Sequence, residues 1–186
     1  GCHLALVDID GPALDALAGS LAGSGRISTH VIDVRDRAQL DRLAADVERE
    51  HGSVSLLVAS AGVTVFGAFE QHSADDVDWL LDTNIRGVIH CCRAMLPLLR
   101  TASETHGEAH IVCLSSMVAM VGVPIQSLYS TSKYAVRGFS ASLRAELSVH
   151  DIGVTAVLPG AVRDSFLMNG RMFHPATVQA IMVHVE

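Results

Sequence analysis

The sequence predicts an α/β fold, an open and doubly wound parallel sheet with helices on both faces. Three observations predict it. Apolar runs of strand length alternate strictly with longer amphipathic stretches. The strand runs are nearly continuous in Val, Ile, Leu and Ala, as parallel strands covered on both faces must be. Polar or small residues gather where each strand run ends, which in this architecture is the edge that binds ligands. With 186 residues, 49% of them apolar and 18% charged, the chain has the composition for one substantial core. Residues 1–186 read as a single, partial domain, with no repeat, low-complexity stretch or linker.

Leu4–Ile9 reads as the first strand and Pro12–Ala22 as the first helix. Pro near the start and Gly23 past the end suit a capped helix, and Asp10 is the better N-cap candidate. Ser28–Val34 is the next strand and Arg35–Glu50 the helix after it. Ser55–Ala61 and the long helix Ser73–Arg100 follow, then His110–Ser116, the helix Gln126–His150, the strand Val154–Leu158 and the helix-like Ala176–Val185. Asp8, Asp33, Ala61–Gly62, Ser115–Ser116 and Pro159–Gly160 all stand at or just after strand ends, so they converge on one edge of the sheet.

Thirteen basic residues against twenty acidic ones give a formal charge of −7, which argues against nonspecific binding to nucleic acid or an anionic membrane. No apolar run approaches the roughly 18 residues of a membrane-spanning helix. Nor does Gly1–Asp10, already strand-like, resemble a secretory leader. Cys2, Cys91, Cys92 and Cys113 lack metal-ligand spacing and read as reduced core or interface thiols of a cytoplasmic protein. The ten histidines are scattered. His106 and His110 have i, i+4 spacing, but a glycine-containing connection leading into a strand does not suit zinc. No metal is expected.

The chain uses one lysine, Lys133, and it stands four residues after Tyr129, one of two tyrosines. On a helix this spacing brings an ammonium beside a phenol. The cation favours the phenolate and lowers the tyrosine pKa from about 10 toward neutrality. Proton transfer is the chemistry this pair suits.

Ser116, Tyr129, Lys133 and Asn84 together resemble the active site of the short-chain dehydrogenase/reductase family. Ile111-Val-Cys-Leu-Ser-Ser116 is similar to its serine-bearing strand and Tyr129-Ser-Thr-Ser-Lys133 to its Tyr-x-x-x-Lys helix. Thr83-Asn84-Ile-Arg-Gly87 is similar to the helix carrying its asparagine, and Pro159-Gly160-Ala-Val162 to its proline-glycine turn. The resemblance covers nearly the whole chain and implies a Rossmann-like fold with reversible hydride transfer between a nicotinamide and a secondary alcohol or ketone. It implies Tyr129 as general acid/base, Lys133 holding the phenolate and the nicotinamide ribose, and Ser116 on the substrate oxygen. It also implies Asn84 as the holder of a water that links Lys133 to solvent. Asp8 at the first strand end favours NAD over NADP, because a carboxylate there accepts from a ribose 2′-hydroxyl and repels a 2′-phosphate. Asp33 and Val34 resemble the adenine-contacting pair. Ala59, Ala61, Gly62, Pro159, Gly160 and Val162 are implied as further cofactor contacts.

Met117, Val118, Met120, Val121, Val123, Phe166, Leu167, Met168, Met172 and Phe173 fall in segments that line the family's substrate pocket, which suits an apolar substrate. The two longest helices resemble those of the family's subunit interface, so a homodimer or homotetramer is expected.

The chain departs from the family pattern in three places. Only seven residues precede Asp8, so the Gly-rich pyrophosphate turn and its central strand, expected between the strands at Leu4–Ile9 and Ser55–Ala61, are missing. The sequence therefore reads as incomplete at both ends. Ala59-Ser60 stands where the family has two asparagines. Ser165 stands in place of a nearer threonine. The missing Gly-rich turn and the Ala59-Ser60 pair support a second reading, a non-catalytic scaffold or oligomerisation protein.

Overall fold

The computed structural model describes residues 2–21, 25–160 and 170–172. Gly23, Val162, Ser165, Phe166, Leu167, Met168, Phe173 and the stretch 176–185 lie outside the described residues.

The order is β1 (Leu4–Asp8), α1 (Gly11–Ser20), β2 (Ile27–Val31), α2 (Arg37–His51), β3 (Leu56–Ala59), β4 (Val65–Phe66), α3 (Ala74–Leu81), α4 (Val88–His106), β5 (Ala109–Leu114), α5 (Ser127–Leu147), β6 (Ile152–Val157) and β7 (Arg171–Met172). Every paired strand is parallel. β1 pairs with β2, β5 lies between β3 and β6, and β4 pairs with β7. This is the expected parallel α/β architecture. No ladder joins β1 to β3 among the described residues.

Leu56 and Val58 of β3 are 56% and 51% exposed, and the side chain of Val7 on β1 is also open. The other face of the three-stranded sheet is closed. Ala109, Ile111 and Cys113 of β5 alternate inward and meet Leu40, Leu43 and Val47 of α2, Met95, Leu98 and Leu99 of α4, and Val136 of α5. α1 packs on β1 and β2 instead.

Caps set the helix starts. Asp10 accepts the Ala13 amide at 3.0 Å and precedes Pro12, confirming it as the N-cap. Asp36 accepts from Ala38 and Gln39, so α2 begins two residues later than expected. Ser73 and Asp76 form a reciprocal capping box at the start of α3.

The expected Ser73–Arg100 helix has an interruption that hydrophobic period does not report. Asp82–Gly87 forms a π-helical turn between α3 and α4, and α4 runs on to His106. Gly87 closes that turn against Val34. A Cβ there would lie 2.7 Å from Val34 Cγ2. The glycine therefore lets α4 approach the end of β2.

Leu99→Ala, at a site with no solvent exposure, is expected to lower unfolding free energy by about 3 kcal/mol in urea titration. Gly87→Ala is expected to cost about 1–3 kcal/mol by overpacking against Val34, with the same measurement as the check.

Candidate active site

The site forms where β5 ends against α5. Lys133 is 4% exposed, and its Nζ donates to the Leu114 carbonyl at 2.9 Å. In return the neighbouring Ser115 Oγ donates to the Lys133 carbonyl at 2.8 Å. Strand end and helix turn thus hold each other in both directions. One turn earlier, the Tyr129 ring lies 5.6 Å from Lys133 Nζ, so the pair read from i, i+4 spacing is in contact. Burial pushes the Lys133 ammonium down from 10.5 to about 8.

Asn84 enters from the π turn and is fully buried. Its Oδ1 accepts the Val63 amide at 2.7 Å, and its Nδ2 donates to the Val63 carbonyl at 2.8 Å and to Ser132 Oγ at 2.9 Å. Ser132 in turn donates to the Tyr129 carbonyl at 2.8 Å. One amide therefore ties the loop after β3 to the turn of α5 that carries Tyr129. Gly62 stands beside this network. A Cβ on it would come 3.4 Å from both Asn84 Oδ1 and Lys133 Nζ.

Ser116 follows Ser115 in extended backbone, and its Oγ accepts the Val118 amide at 3.3 Å, which leaves its proton free to donate elsewhere. Val118 packs into the small cluster of Val65, Leu80 and Tyr129, so Ser116 is bracketed by one residue bound to Lys133 and another close to Tyr129.

A cleft of about 430 Å³ meets this network at Gly62 and Val63, while Ser116, Tyr129 and Lys133 are not among its lining residues. Asp8, Asp33, Val34, Ala61 and Gly62 line it, together with Ser60, Arg35, Trp79 and Thr83. Asp8 Oδ1 accepts the Asp10 amide, which fixes the turn after β1. Three of the implied cofactor contacts, Ala59, Pro159 and Gly160, sit elsewhere. Ala59 is in the main core, with its neighbour Ser60 on the cleft. Pro159 accepts the Met117 amide at 2.9 Å, which places the proline-glycine turn beside the residue after Ser116, while Gly160 is exposed.

Sequence reasoning passed over Ser132 and Trp79. Ser132 carried a faint signal, a polar residue inside the Tyr129–Lys133 segment. Trp79 carried only its rarity.

The thiols divide by location. Cys92 and Cys113 are buried and Cys91 is half-buried, with burial pushing its thiol up to about 11, which keeps it protonated. Cys2, which lies ahead of β1, is exposed rather than in the core. Among the described residues no cluster of His, Cys, Asp or Glu is arranged to hold a metal, and no helix is long and apolar enough to cross a membrane.

A lysine depressed by burial destabilises the fold while it is charged. Between about pH 8 and 10.5 the unfolded chain binds the extra proton, so this group makes stability rise with pH across that window. Lys133→Met is expected to remove that rise and to gain up to about 3 kcal/mol at pH 7, read from urea midpoints of both proteins across the range.

The chain is similar to known proteins in both sequence and fold. The short chain dehydrogenase family model matches residues 1–172. Oxidoreductase UcpA of Escherichia coli is 36% identical over 165 residues, 88% of this chain and 61% of the relative. The 3-ketodihydrosphingosine reductase of Bacteroides thetaiotaomicron is 32% identical over 145 residues, 78% of this chain and 52% of the relative. A Burkholderia phymatum short chain dehydrogenase/reductase in complex with NAD superposes with a TM-score of 0.85 at 29% identity, covering 91% of this chain and 60% of that one. The chain thus spans just over half the length of these relatives, and on the family model that matches nearly all of it, together with the matching fold, the chain belongs to the short-chain dehydrogenase/reductase family.

Proposed function

We propose that this protein is an NAD-dependent oxidoreductase that interconverts a secondary alcohol and a ketone of apolar character, with Tyr129 as general acid/base. The observation that carries the reading is the contact of buried Lys133 with Tyr129, at the point where the cleft wall is reduced to Gly62.

The cleft suits a dinucleotide. Asp8 keeps Oδ2 available for a ribose hydroxyl while Oδ1 holds the turn. Gly62 presents no side chain between the cleft and Lys133. The NAD-bound Burkholderia structure supports the same cofactor class. When bound, a nicotinamide supplies the hydride chemistry.

The chain's own residues do the rest. Lys133, with one N–H spent on Leu114, has two to offer ribose hydroxyls, and its charge favours the Tyr129 phenolate. Tyr129 gives its proton to the substrate oxygen in reduction and takes it back in oxidation. The Ser116 hydroxyl donates to that oxygen and stabilises the developing alkoxide. Asn84 has both amide protons committed, so what it offers a relay water next to Lys133 is acceptor capacity.

Met117, Met120 and Val121, each about half exposed after Ser116, give an apolar wall beside the hydroxyls. A homodimer or homotetramer through α4 and α5 is part of this reading. A shallow apolar cavity of about 140 Å³ there exposes Ile89, Leu96 and Phe139. We place the protein in the cytoplasm on its reduced thiols.

Tyr129→Phe is expected to lower kcat for apolar ketones by about 1,000-fold or more while NADH affinity, read by fluorescence titration, stays within about twofold. Activity of the variant near that of the unaltered protein would remove the assigned role. In the unaltered enzyme kcat is expected to fall above about pH 8, where Lys133 loses the charge that favours the phenolate. A flat kcat profile from pH 7 to 10 would contradict the coupling.

A further inference from the structure

At the end of β2 opposite the cleft, three imidazoles gather that the site does not use. The His3 ring, just ahead of β1, accepts the Arg26 backbone amide on Nδ1 at 3.0 Å. Ser28 Oγ lies 2.9 Å from Nε2 of His51, the last residue of α2. It lies 2.9 Å from Nε2 of His30 as well, two residues along the same face of β2. The His3 and His51 rings are 6.5 Å apart, and Arg26 Nη1 donates to the Glu50 carbonyl in the last turn of α2. Ser28, His30 and His51 are half-buried.

These bonds dictate where protons sit. An imidazole nitrogen that accepts a backbone N–H is bare, so His3 Nδ1 carries no proton in this arrangement. A serine hydroxyl has one proton to give, so of the two rings on Ser28 one accepts it and the other donates. His51 is the acceptor. Burial, and after it the Arg26 guanidinium, holds the His51 pKa below its ordinary value, while Glu50 pulls the other way and His3 and His30 add to the lowering. His30 then donates through Nε2, which it does whether neutral or charged.

We propose that His3 and His51 form an acid-sensitive clasp, which fixes the start of β2 to the end of α2 and to the lead-in of β1 and opens when these rings take up protons. A proton on His3 Nδ1 would face the Arg26 N–H with a second donor. A proton on His51 Nε2 would displace the Ser28 proton and set a second cation beside Arg26. Strands β1 and β2 lead to Asp8, Asp33 and Val34 on the cleft, and no ladder joins them to β3 among the described residues. The clasp therefore anchors the far end of the two strands that carry one cleft wall. Because the folded His51 pKa lies below the unfolded one, the closed state loses stability as pH falls from 6.5 toward the folded value. This inference is independent of the dinucleotide reading.

Amide hydrogen exchange and histidine ring NMR of the full chain, between about pH 7 and 5.5, test the clasp. The His51 ring is expected to titrate below 6.5. Protection of the Arg26 and β2 amides, corrected for intrinsic exchange, is expected to fall about tenfold per pH unit for each proton taken up. In the His3→Gln/His51→Gln variant the amides keep hydrogen-bonding capacity without titrating, so protection is expected to hold within about twofold across the range. His30→Gln still donates to Ser28 and is expected to keep the pH dependence of the unaltered protein.

The proposal is overturned if protection in the unaltered protein is flat, or if His51 titrates at or above 6.5. It is overturned equally if the double variant keeps the fall or if His30→Gln abolishes it. Ring titration and exchange in the unaltered protein need no variant to fold.

Discussion

Everything at the site depends on the reciprocal bond between the end of β5 and the lysine turn of α5. Lys133 gives a proton to the Leu114 carbonyl and takes one, through its own carbonyl, from Ser115. An ammonium at 4% exposure pays heavily in hydration. One hydrogen bond to a carbonyl and one aromatic face return only part of that cost. The fold retains the charge where it can act on a neighbouring phenol, and the surrounding apolar core at β5 and α5 supplies the stability that the buried charge removes.

The asparagine network extends the same logic across the sheet edge. Asn84 reaches the site because the helix between α3 and α4 widens into a π turn. Once inside, its amide satisfies both polar groups of Val63 and the hydroxyl of Ser132, so no strand-like partner is needed for the loop after β3. Gly87 permits the turn to sit on Val34, and Gly62 leaves the space between Asn84 and Lys133 open. Two small residues therefore decide how closely the cleft approaches the Tyr129–Lys133 pair.

Charge along the cleft is arranged in sequence-local units. Asp8 shapes its own turn, and Asp33 is neutralised by Arg35 two residues on, which also holds its carboxyl below the ordinary range. The lining carries two carboxylates against one guanidinium, and the guanidinium is already engaged. A dianionic 2′-phosphate would meet an unfavourable field there, whereas ribose hydroxyls would meet a ready acceptor.

The sequence by itself determined the parallel α/β class, the order of strands and helices, the Asp10 cap and the Tyr129–Lys133 pair. These depend on short-range rules: period, capping chemistry and the i, i+4 face of a helix. It also located Asp8, Asp33 and Gly62 on one cleft, because parallel topology sends every strand end to the same edge. Only the tertiary structure decided that Ser115 and Ser132 hold the site together, through contacts of 18 and 48 residues' separation. The tertiary structure also decided that Ala59 faces the core, that β4 pairs with distant β7, and that a π turn interrupts the long helix. Such features follow from sheet register and close packing, which couple positions that no local period connects.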